Sequence, residues 1–254
     1  EKRDDAELAA LMGNLGGHMA MSLIRRGFSV TVHDRNQSLA DRHVAAGAER
    51  AENAAVLAGA CDVVMTCLPS PAVCEIVLSE CLSAMRPGSI WIENSTLGRD
   101  EIVKLAAMAQ AKGIRVLEAP VTGGVHLAAR GEITVLAGGE KVLFDEMTPV
   151  LEAIGNRLFH MGPIGSAAII KVITNMLAFI HLKADAEALM LAKRGGLDLA
   201  QAWHAIKASS GNSFVHETEG ALILNGSYDI AFNIDLALKD LGFALHFGQE
   251  FGVP

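Results

Sequence analysis

Alternating apolar runs and helical segments between residues 28 and 162 constrain the fold of this chain more than any other feature of its sequence. Each apolar run is rich in Val, Ile, Leu or Thr, and the helical segments between them have roughly 10–15 residues. Such an alternation is typical of a parallel β-sheet that is covered by helices on both faces and joined by right-handed crossovers. Strands are predicted at residues 28–34, 61–69, 89–95, 114–120, 133–139 and 156–162, and helices at 16–27, 71–85, 100–113 and 141–155.

The strand pattern ends near Gly162, and the remaining residues have helical periodicity with breaks near 195–196, 209–212 and 225–227. A chain of 254 residues is long enough for two modest domains. We therefore predict an α/β fold in which an N-terminal Rossmann-type doubly wound parallel sheet over residues 1–162 is followed by an all-α C-terminal domain over residues 163–254.

The charge and the cysteines narrow the possible partners. The formal net charge is −8 and no long basic run is present, which argues against nucleic acid and an anionic membrane as partners. The four cysteines and nine histidines show none of the spacings of zinc motifs, so no metal site is expected. Reduced cysteines and the lack of a signal-peptide pattern predict a cytoplasmic protein.

A glycine-rich turn, LMGNLGG at residues 11–17, precedes a predicted helix and a strand that ends in Asp34. Glycines in such a turn let a pyrophosphate approach the amino end of the helix, where free N–H groups attract anions. Leu11 replaces the first glycine of the GxGxxG pattern, and residues 1–10 do not resemble a buried strand. A glycine-rich loop between two helices is therefore the alternative.

Asp34 and Arg35 bear on the choice of dinucleotide. An acidic residue about 20 positions after the glycine turn can accept hydrogen bonds from both ribose hydroxyls and repel a 2′-phosphate. Arg35 would instead pair with that phosphate. The expected cofactor is NAD or NADP, with a slight preference for NAD.

Three further loops follow predicted strands at the edge where doubly wound sheets bind ligands. Glycine N–H groups and a threonine hydroxyl in the last of them could hold a carboxylate. Each loop on its own is explained as an ordinary turn. Only their position at the same edge of the predicted sheet favours a binding site. The loops are Leu68-Pro69-Ser70, Ser95-Thr96 and Thr122-Gly123-Gly124.

Lys171 lies in a long apolar helix predicted from Ser166 to Gly195, and Asn175 shares its face at i,i+4 spacing. A helix that is apolar nearly all round is predicted to be buried. Burial would lower the pKa of a lysine, and an amine of lowered pKa beside an amide can move a proton on a substrate oxygen. The alternative is a lysine whose stem reaches the surface.

Lys239 lies in a predicted helix with Phe232, Asp235 and Phe243 on the same face. An exposed i,i+4 pair with Asp235 is the simpler interpretation. A second lysine near the substrate or the nicotinamide is the functional alternative.

Four blocks of the chain, in order, resemble the β-hydroxyacid dehydrogenases, the family of 3-hydroxyisobutyrate dehydrogenase and tartronate semialdehyde reductase, to which 6-phosphogluconate dehydrogenase is more distantly related. The resemblance covers residues 11–254, and the middle two blocks are the most specific. The blocks read LMGNLGGHMAMSLIRRGFSVTVHDRN, EAPVTGGVHLAARGEITVLAGG, GPIGSAAIIKVITNM and FNIDLALKDLGFAL.

The resemblance implies a role for each matching residue. Lys171 would be the general acid/base, Asn175 would hold the substrate, and Lys239 would lie close to substrate and cofactor. The substrate carboxylate would bind at Thr122, Gly123 and Gly124. The dinucleotide would contact Gly13, Asn14, Leu15, Asp34, Leu68, Pro69 and Thr96.

The implied activity is NAD(P)-dependent hydride transfer on a small β-hydroxy acid or its semialdehyde, in a homodimer or homotetramer built through the helical domain. Met176 replaces an amide that is common in the family, and relatives continue beyond residue 254, so the helical domain is expected to be incomplete here. Two rivals are a non-catalytic nucleotide-binding relative and an imine reductase. Leu11 favours the first, whereas Lys171 argues against both.

Overall fold

The computed structural model describes residues 7–11, 13–34, 36–227 and 232–253. The chain divides into two compact units, Glu1–Lys171 and Val172–Pro254. The first unit therefore extends nine residues past the predicted boundary, since 171 − 162 = 9, and the division at residue 163 stays a prediction.

A nine-stranded sheet forms the centre of the described part of the first unit. Its order is β3-β2-β1-β4-β5-β6-β8-β7, and β9 pairs with β8. The chain runs outward from β1 in one direction and then returns to continue on the other side, as in doubly wound sheets. The strands are β1 Leu8–Leu11, β2 Val30–His33, β3 Glu49–Arg50, β4 Val63–Thr66, β5 Ile90–Glu93, β6 Arg115–Glu118, β7 Val121–Thr122, β8 Ile133–Gly138 and β9 Gly155–Gly162.

Strand β1 lies where the sequence predicts no strand. Leu8 pairs in parallel with Val30 on one side and with Val63 on the other, and its side chain is fully buried. The strand is only four residues long, LAAL, and follows a charged segment. Alanine has a low intrinsic preference for strands, so burial between two neighbours decides this structure. The prediction that residues 1–10 contain no buried strand is wrong.

Seven helices cover the two faces of the sheet within the described part of the first unit, and two separate apolar cores lie beneath them. Helices α2, α3 and α6 and the short strands β3 and β7 have no counterpart among the elements predicted from the sequence. The amino ends of α2 and α3 are capped by the side chains of Asn36 and Asn53. The helices are α1 Asn14–Arg25, α2 Gln37–Ala45, α3 Ala54–Ala60, α4 Pro71–Cys81, α5 Arg99–Gln110, α6 Gly124–Arg130 and α7 Lys141–Ile154.

The sheet is parallel from β3 to β6 and changes direction at β8, which is antiparallel to β6 and β7 and parallel to β9. The helix α6 between β7 and β8 has only seven residues and returns the chain to the same edge. The predicted class, a doubly wound α/β sheet followed by helices, is confirmed.

In the part of the chain that the structure describes, four helices follow the sheet: α8 Ser166–Arg194, α9 Leu199–Lys207, α10 Phe214–Leu224 and α11 Ile234–Phe251. Within the second unit, a buried network joins the first three. Asp185 lies 2.5 Å from Nδ1 of His216, whose Nε2 lies 2.9 Å from the carbonyl oxygen of Trp203. The breaks predicted near residues 195, 209 and 225 fall between these helices.

Helix α8 is less buried than its apolar sequence predicts. Ile173, Leu177 and Ile180 are 38%, 44% and 53% exposed. By length and mean hydropathy alone α8 qualifies as a membrane span, a test that the core helix of a soluble protein also passes. The prediction that this helix is buried on all sides is wrong, because one apolar face is open along the second unit.

Candidate active site

The carboxyl ends of β1, β2, β4, β5 and β6 lie at one edge of the sheet, because these strands are parallel. Ligands of doubly wound sheets bind at this edge, where the strand order reverses, here between β1 and β4. The loops that follow these strands carry most of the predicted site residues of the first unit. These are Gly13, Asp34, Leu68, Pro69 and Thr96, while Thr122, Gly123 and Gly124 lie at the end of the short strand β7 and the start of α6.

Gly13 stands between β1 and α1 and caps the amino end of α1 without any side-chain hydrogen bond. A Cβ at this position would lie 3.2 Å from the carbonyl oxygen of Cys67, which directly follows β4. A larger residue at position 13 would therefore require the two loops to move apart by a few tenths of an ångström, and the N–H groups at the start of α1 face this edge. An uncapped helix end with a close glycine is what a dinucleotide pyrophosphate requires.

Asp34 directly follows β2 and is partly exposed. Its Oδ1 accepts a hydrogen bond from the backbone N–H of Asn36 at 2.7 Å, which orients the carboxylate in the β2–α2 turn. Arg35 and the side chains of Leu11 and Asn14 lie outside the described residues. Of the two residues that bear on cofactor choice, the structure thus describes Asp34 alone.

A buried carboxylate holds the loops after β4 and β5. Glu93 accepts hydrogen bonds from Thr66 Oγ1 at 2.8 Å and from the backbone N–H of Ser95 at 2.6 Å. Ser95 Oγ in turn accepts one from the N–H of Leu68 at 2.7 Å. Burial raises the pKa of Glu93 to about 7, against the effect of these donors. The backbone at Leu68 and the start of the loop after β5 are thereby fixed through one acidic side chain.

The turn from β7 into α6 has an unusual backbone. Gly123 and Gly124 have φ angles of +121° and +78°, which side-chain-bearing residues rarely adopt. A Cβ on Gly123 would also lie 2.6 Å from Cδ1 of Leu127. Thr122 is half-buried at the end of β7. The structure thus explains why glycine is needed at these two positions.

Lys171 is buried, with 7% of its surface exposed. It lies close enough to Cys67 for its positive charge to oppose the rise in the pKa of the Cys67 thiol that burial causes, to about 12. Cys67 follows β4 at the carboxyl edge, so Lys171 is near the same edge of the sheet as the glycine turn. The structure brings these parts of the predicted site together within the first unit.

Asn175 and Lys239 belong to the second unit, and both contact Asp240. The Asn175 amide donates to Asp240 Oδ2 at 2.6 Å, and Lys239 Nζ lies 2.7 Å from Asp240 Oδ1. Lys239 Nζ also lies 5.2 Å from the centre of the Phe243 ring. The structure thus pairs Lys239 with Asp240, which is 1% exposed, whereas the sequence suggested Asp235.

Three buried acids that organise these regions are absent from the residues that the sequence analysis selected: Glu93, Glu118 and Asp240. Glu118 accepts hydrogen bonds from three backbone N–H groups at the start of α8, and burial raises its pKa to about 7. For Glu93 and Glu118 the available signal was an acidic residue at the carboxyl end of a buried strand, in IWIE and in RVLE. An ionisable group in such a place needs a partner.

The raised pKa values of Glu93 and Glu118 predict how stability depends on pH. The folded protein holds protons on these groups up to about pH 7, whereas the unfolded chain releases them near 4.5. Their contribution to the free energy of unfolding is therefore complete below pH 4.5 and is lost as the pH rises through 7. The loss is on the order of 3 kcal/mol for each carboxyl.

Urea unfolding at pH 5 and pH 8 measures this effect. The wild type should gain stability relative to Glu93→Gln when the pH is lowered from 8 to 5. The same gain is expected relative to Glu118→Gln. Equal differences at both pH values would contradict the raised pKa values. Glu146→Gln is the control, because Glu146 lies in an exposed salt bridge with Arg115 that lowers its pKa.

The fold and the loops at its carboxyl edge define a dinucleotide-binding class of protein, with a buried lysine near the same edge. The uncapped end of α1, the close contact at Gly13 and the acidic residue after β2 fit a nicotinamide dinucleotide.

Comparison with known proteins identifies the family. Residues 11–162 match the sequence model for the NAD-binding domain of 6-phosphogluconate dehydrogenase, and residues 165–254 match that for the NAD-binding domain of NADP-dependent 3-hydroxyisobutyrate dehydrogenase. The chain is 33% identical over 247 residues to 2-(hydroxymethyl)glutarate dehydrogenase of Eubacterium barkeri, covering 96% of this chain and 82% of that protein. It is 32% identical over 248 residues to an NAD-dependent L-serine dehydrogenase of Pseudomonas aeruginosa, covering 94% and 83%.

A solved structure agrees with these sequence matches. Mycobacterium tuberculosis 3-hydroxyisobutyrate dehydrogenase with L-serine superimposes with a TM-score of 0.87 at 29% identity, covering 98% of this chain and 88% of that one. The chain belongs to the 3-hydroxyisobutyrate dehydrogenase type of β-hydroxyacid dehydrogenases, and it is an NAD(P)-dependent hydroxyacid dehydrogenase.

Proposed function

We propose that this enzyme transfers a hydride between a nicotinamide and the carbinol carbon of a small β-hydroxy acid, or the corresponding semialdehyde, with Lys171 as the general acid/base. The observation that carries the proposal is the burial of Lys171 beside Cys67 at the carboxyl edge of the sheet. A lysine is costly to bury, and a position next to the cofactor edge gives it a chemical role.

In the oxidation, the neutral Lys171 amine accepts the hydroxyl proton of the substrate as the hydride leaves the carbinol carbon. In the reduction, the ammonium form returns this proton to the carbonyl oxygen. A bound nicotinamide supplies the hydride acceptor in one direction and the donor in the other. The retained lysine and asparagine favour catalysis over a non-catalytic relative, and the lysine disfavours an imine reductase.

The loop of Thr122, Gly123 and Gly124 is the proposed binding site of the substrate carboxylate. Its two glycines have positive φ angles, which turn backbone N–H groups in directions that ordinary turns do not offer. The Thr122 hydroxyl adds a donor. In the second unit, Asn175 and Lys239 are proposed to bind the substrate, and their shared contact with Asp240 would orient both side chains.

For the cofactor we propose that the residues matching the dinucleotide block act as in relatives: Gly13, Asn14 and Leu15 at the pyrophosphate, Asp34 and Arg35 at the adenosine ribose, and Leu68, Pro69 and Thr96 nearer the nicotinamide. The preference for NAD rests on Asp34, whose fixed carboxylate would repel a 2′-phosphate. The name of the Pseudomonas aeruginosa relative, an NAD-dependent dehydrogenase, supports the same preference.

Replacing Asp34 by serine should shift the cofactor preference toward NADP. Loss of the carboxylate removes repulsion of the 2′-phosphate and a partner of the ribose diol, so the ratio of the two dissociation constants should change by about tenfold or more in favour of NADPH. Titration with NADH and NADPH, followed by nicotinamide fluorescence, measures the ratio. Asp41→Ser on α2 is the control. An unchanged ratio in Asp34→Ser would remove Asp34 from cofactor selection.

The proposed reaction is tested with a panel of β-hydroxy acids. The panel contains 2-(hydroxymethyl)glutarate, L-serine, L-threonate and 3-hydroxyisobutyrate, together with the matching amides that lack the carboxylate. Turnover of at least one acid, with its amide at least about a hundredfold poorer, supports the proposal. No turnover of any acid at millimolar concentration with a cofactor that binds would refute it.

The assembly and its environment belong to the same proposal. We propose a homodimer or homotetramer in the cytoplasm, without nucleic acid or membrane as partner. The exposed apolar side chains of α8 support an oligomer, because contiguous apolar surface commonly marks an interface. The four free cysteines support a reducing compartment. Sedimentation at several protein concentrations measures the assembly.

A further inference from the structure

Glu118 ends β6 and is 1% exposed, yet it contacts a helix that begins far along the chain. Its Oε1 accepts hydrogen bonds from the N–H groups of Gly165 at 2.6 Å and Ala167 at 2.9 Å, and its Oε2 accepts one from Ala168 at 3.2 Å. The carboxylate thus binds the donors that the first turn of a helix leaves without intrahelical partners. A negative charge at the amino end of a helix also interacts favourably with the helix dipole.

The surrounding backbone is shaped to admit this side chain. Gly138 pairs with Glu118 across β6 and β8, and a Cβ on Gly138 would lie 2.9 Å from Cδ of Glu118 and closer still to Oε1. Gly165, which donates its N–H to the carboxylate, has a φ angle of +98°, a conformation that residues with side chains rarely adopt. Gly138 therefore makes room for the Glu118 side chain, and a larger residue at this position would collide with it.

The same residue connects two parts of the proposed active site. Toward the carboxyl edge, β6 continues through Ala119 and Pro120 into Thr122, the start of the proposed carboxylate loop. Toward the helix, Ala168 is one turn before Lys171 on α8. All of these residues lie in the first unit. An α-helix is stiff over one turn, so the position of its first turn determines where the Lys171 side chain starts.

We propose that Glu118 is a positioning residue for the reaction: by binding the first turn of α8 it fixes Lys171 relative to the loop of Thr122, Gly123 and Gly124. This inference rests on the proposed role of Lys171. Catalysis is sensitive to such placement, since a displacement of about 1 Å can cost on the order of a hundredfold in rate. Glu118 itself does not take part in proton transfer.

Glu93 provides an internal comparison. It is equally buried and also accepts hydrogen bonds from a neighbouring loop, but its partners are Thr66 and Ser95 on the side of the dinucleotide. Loss of the Glu93 carboxylate should therefore raise the KM of the cofactor. Loss of the Glu118 carboxylate should lower kcat.

The test is the variant Glu118→Gln, which keeps the shape but places an amide N–H₂ against backbone donors. We expect kcat to fall by roughly 10- to 100-fold with the dissociation constant of NADH unchanged. Amide hydrogen exchange of residues 163–171, measured without substrate, should become faster. Glu118→Asp retains a carboxylate and should recover part of kcat. Glu146→Gln is the surface control and should match wild type.

The outcomes separate the two proposals. If wild type turns over no hydroxy acid, the proposed function fails, and the exchange measurement still tests the contact with α8. If wild type is active and Glu118→Gln keeps its kcat and its exchange rates, the positioning role is overturned. A parallel loss of kcat, NADH binding and folded fraction in both Glu118→Gln and Glu118→Asp would also overturn it, because that result indicates a structural role alone.

Discussion

Replacing Lys171 by alanine should lower kcat by about 10²- to 10⁴-fold, the range that general acid/base catalysis contributes, while NADH binding stays unchanged. The reason is that Lys171 is proposed to exchange the substrate proton, whereas the proposed dinucleotide contacts lie on other residues, in the loops that follow β1, β2, β4 and β5 and in the first turn of α1. Stopped-flow single-turnover measurements at saturating cofactor separate the chemical step from binding.

Two further variants sharpen this experiment. Lys171→Arg keeps the positive charge, but arginine does not release its proton near neutral pH. This variant should therefore be nearly as inactive as Lys171→Ala. Lys104→Ala removes an exposed lysine on α5 that pairs with Glu75 in the same unit, and it should behave as wild type. A Lys171→Ala enzyme with wild-type kcat would exclude Lys171 from the reaction.

Gly138→Ala is expected to lower the free energy of unfolding by about 2–3 kcal/mol, because the new Cβ collides with the buried Glu118 side chain. The backbone of Gly138 has no positive φ angle, so the cost comes from the collision and not from the dihedral angle. Urea unfolding at pH 5 and pH 8 measures the change.

A double-mutant cycle identifies the source of this cost. Glu118→Ala alone leaves three helix N–H groups without their acceptor and should destabilise by about 1–3 kcal/mol. In the Glu118→Ala background the methyl group of Gly138→Ala has room, so its own cost should nearly vanish. Additive costs in the double variant would show that the collision involves some other group. Gly59→Ala, inside α3, is the control and should be neutral or slightly stabilising.

The regular alternation of elements was predictable from the sequence, because buried strands and amphipathic helices carry local signals. Strands β2, β4, β5, β6, β8 and β9 fall within or next to the predicted segments, and the glycine breaks separate the last four helices. The helices α2 and α3 were missed since both are short and rich in alanine or polar residues. Strand β8 has the pattern of a buried strand in either direction, so its antiparallel orientation was not visible.

The candidate site was likewise predictable only in part. Glycine turns and a lysine in an apolar helix are visible as local patterns, and the roles assigned to them stay predictions. The partnership of Glu118 with Gly165, Ala167 and Ala168 joins residues that are 47 to 50 positions apart, so no local pattern contains it. The openness of one face of α8 was missed for a similar reason. An apolar surface has the same sequence whether it packs inside one chain or is left for another copy.

The central place of β1 has a consequence for the chain as it leaves the ribosome. Leu8 emerges before Val30 and Val63, the residues beside which it must lie, so this strand stays without hydrogen-bonded neighbours while both are made. A strand rich in valine or isoleucine would be a template for intermolecular pairing during this interval. The sequence LAAL is short and weak in strand preference. The low strand preference that makes β1 hard to predict from the sequence also makes it a poor template for such pairing.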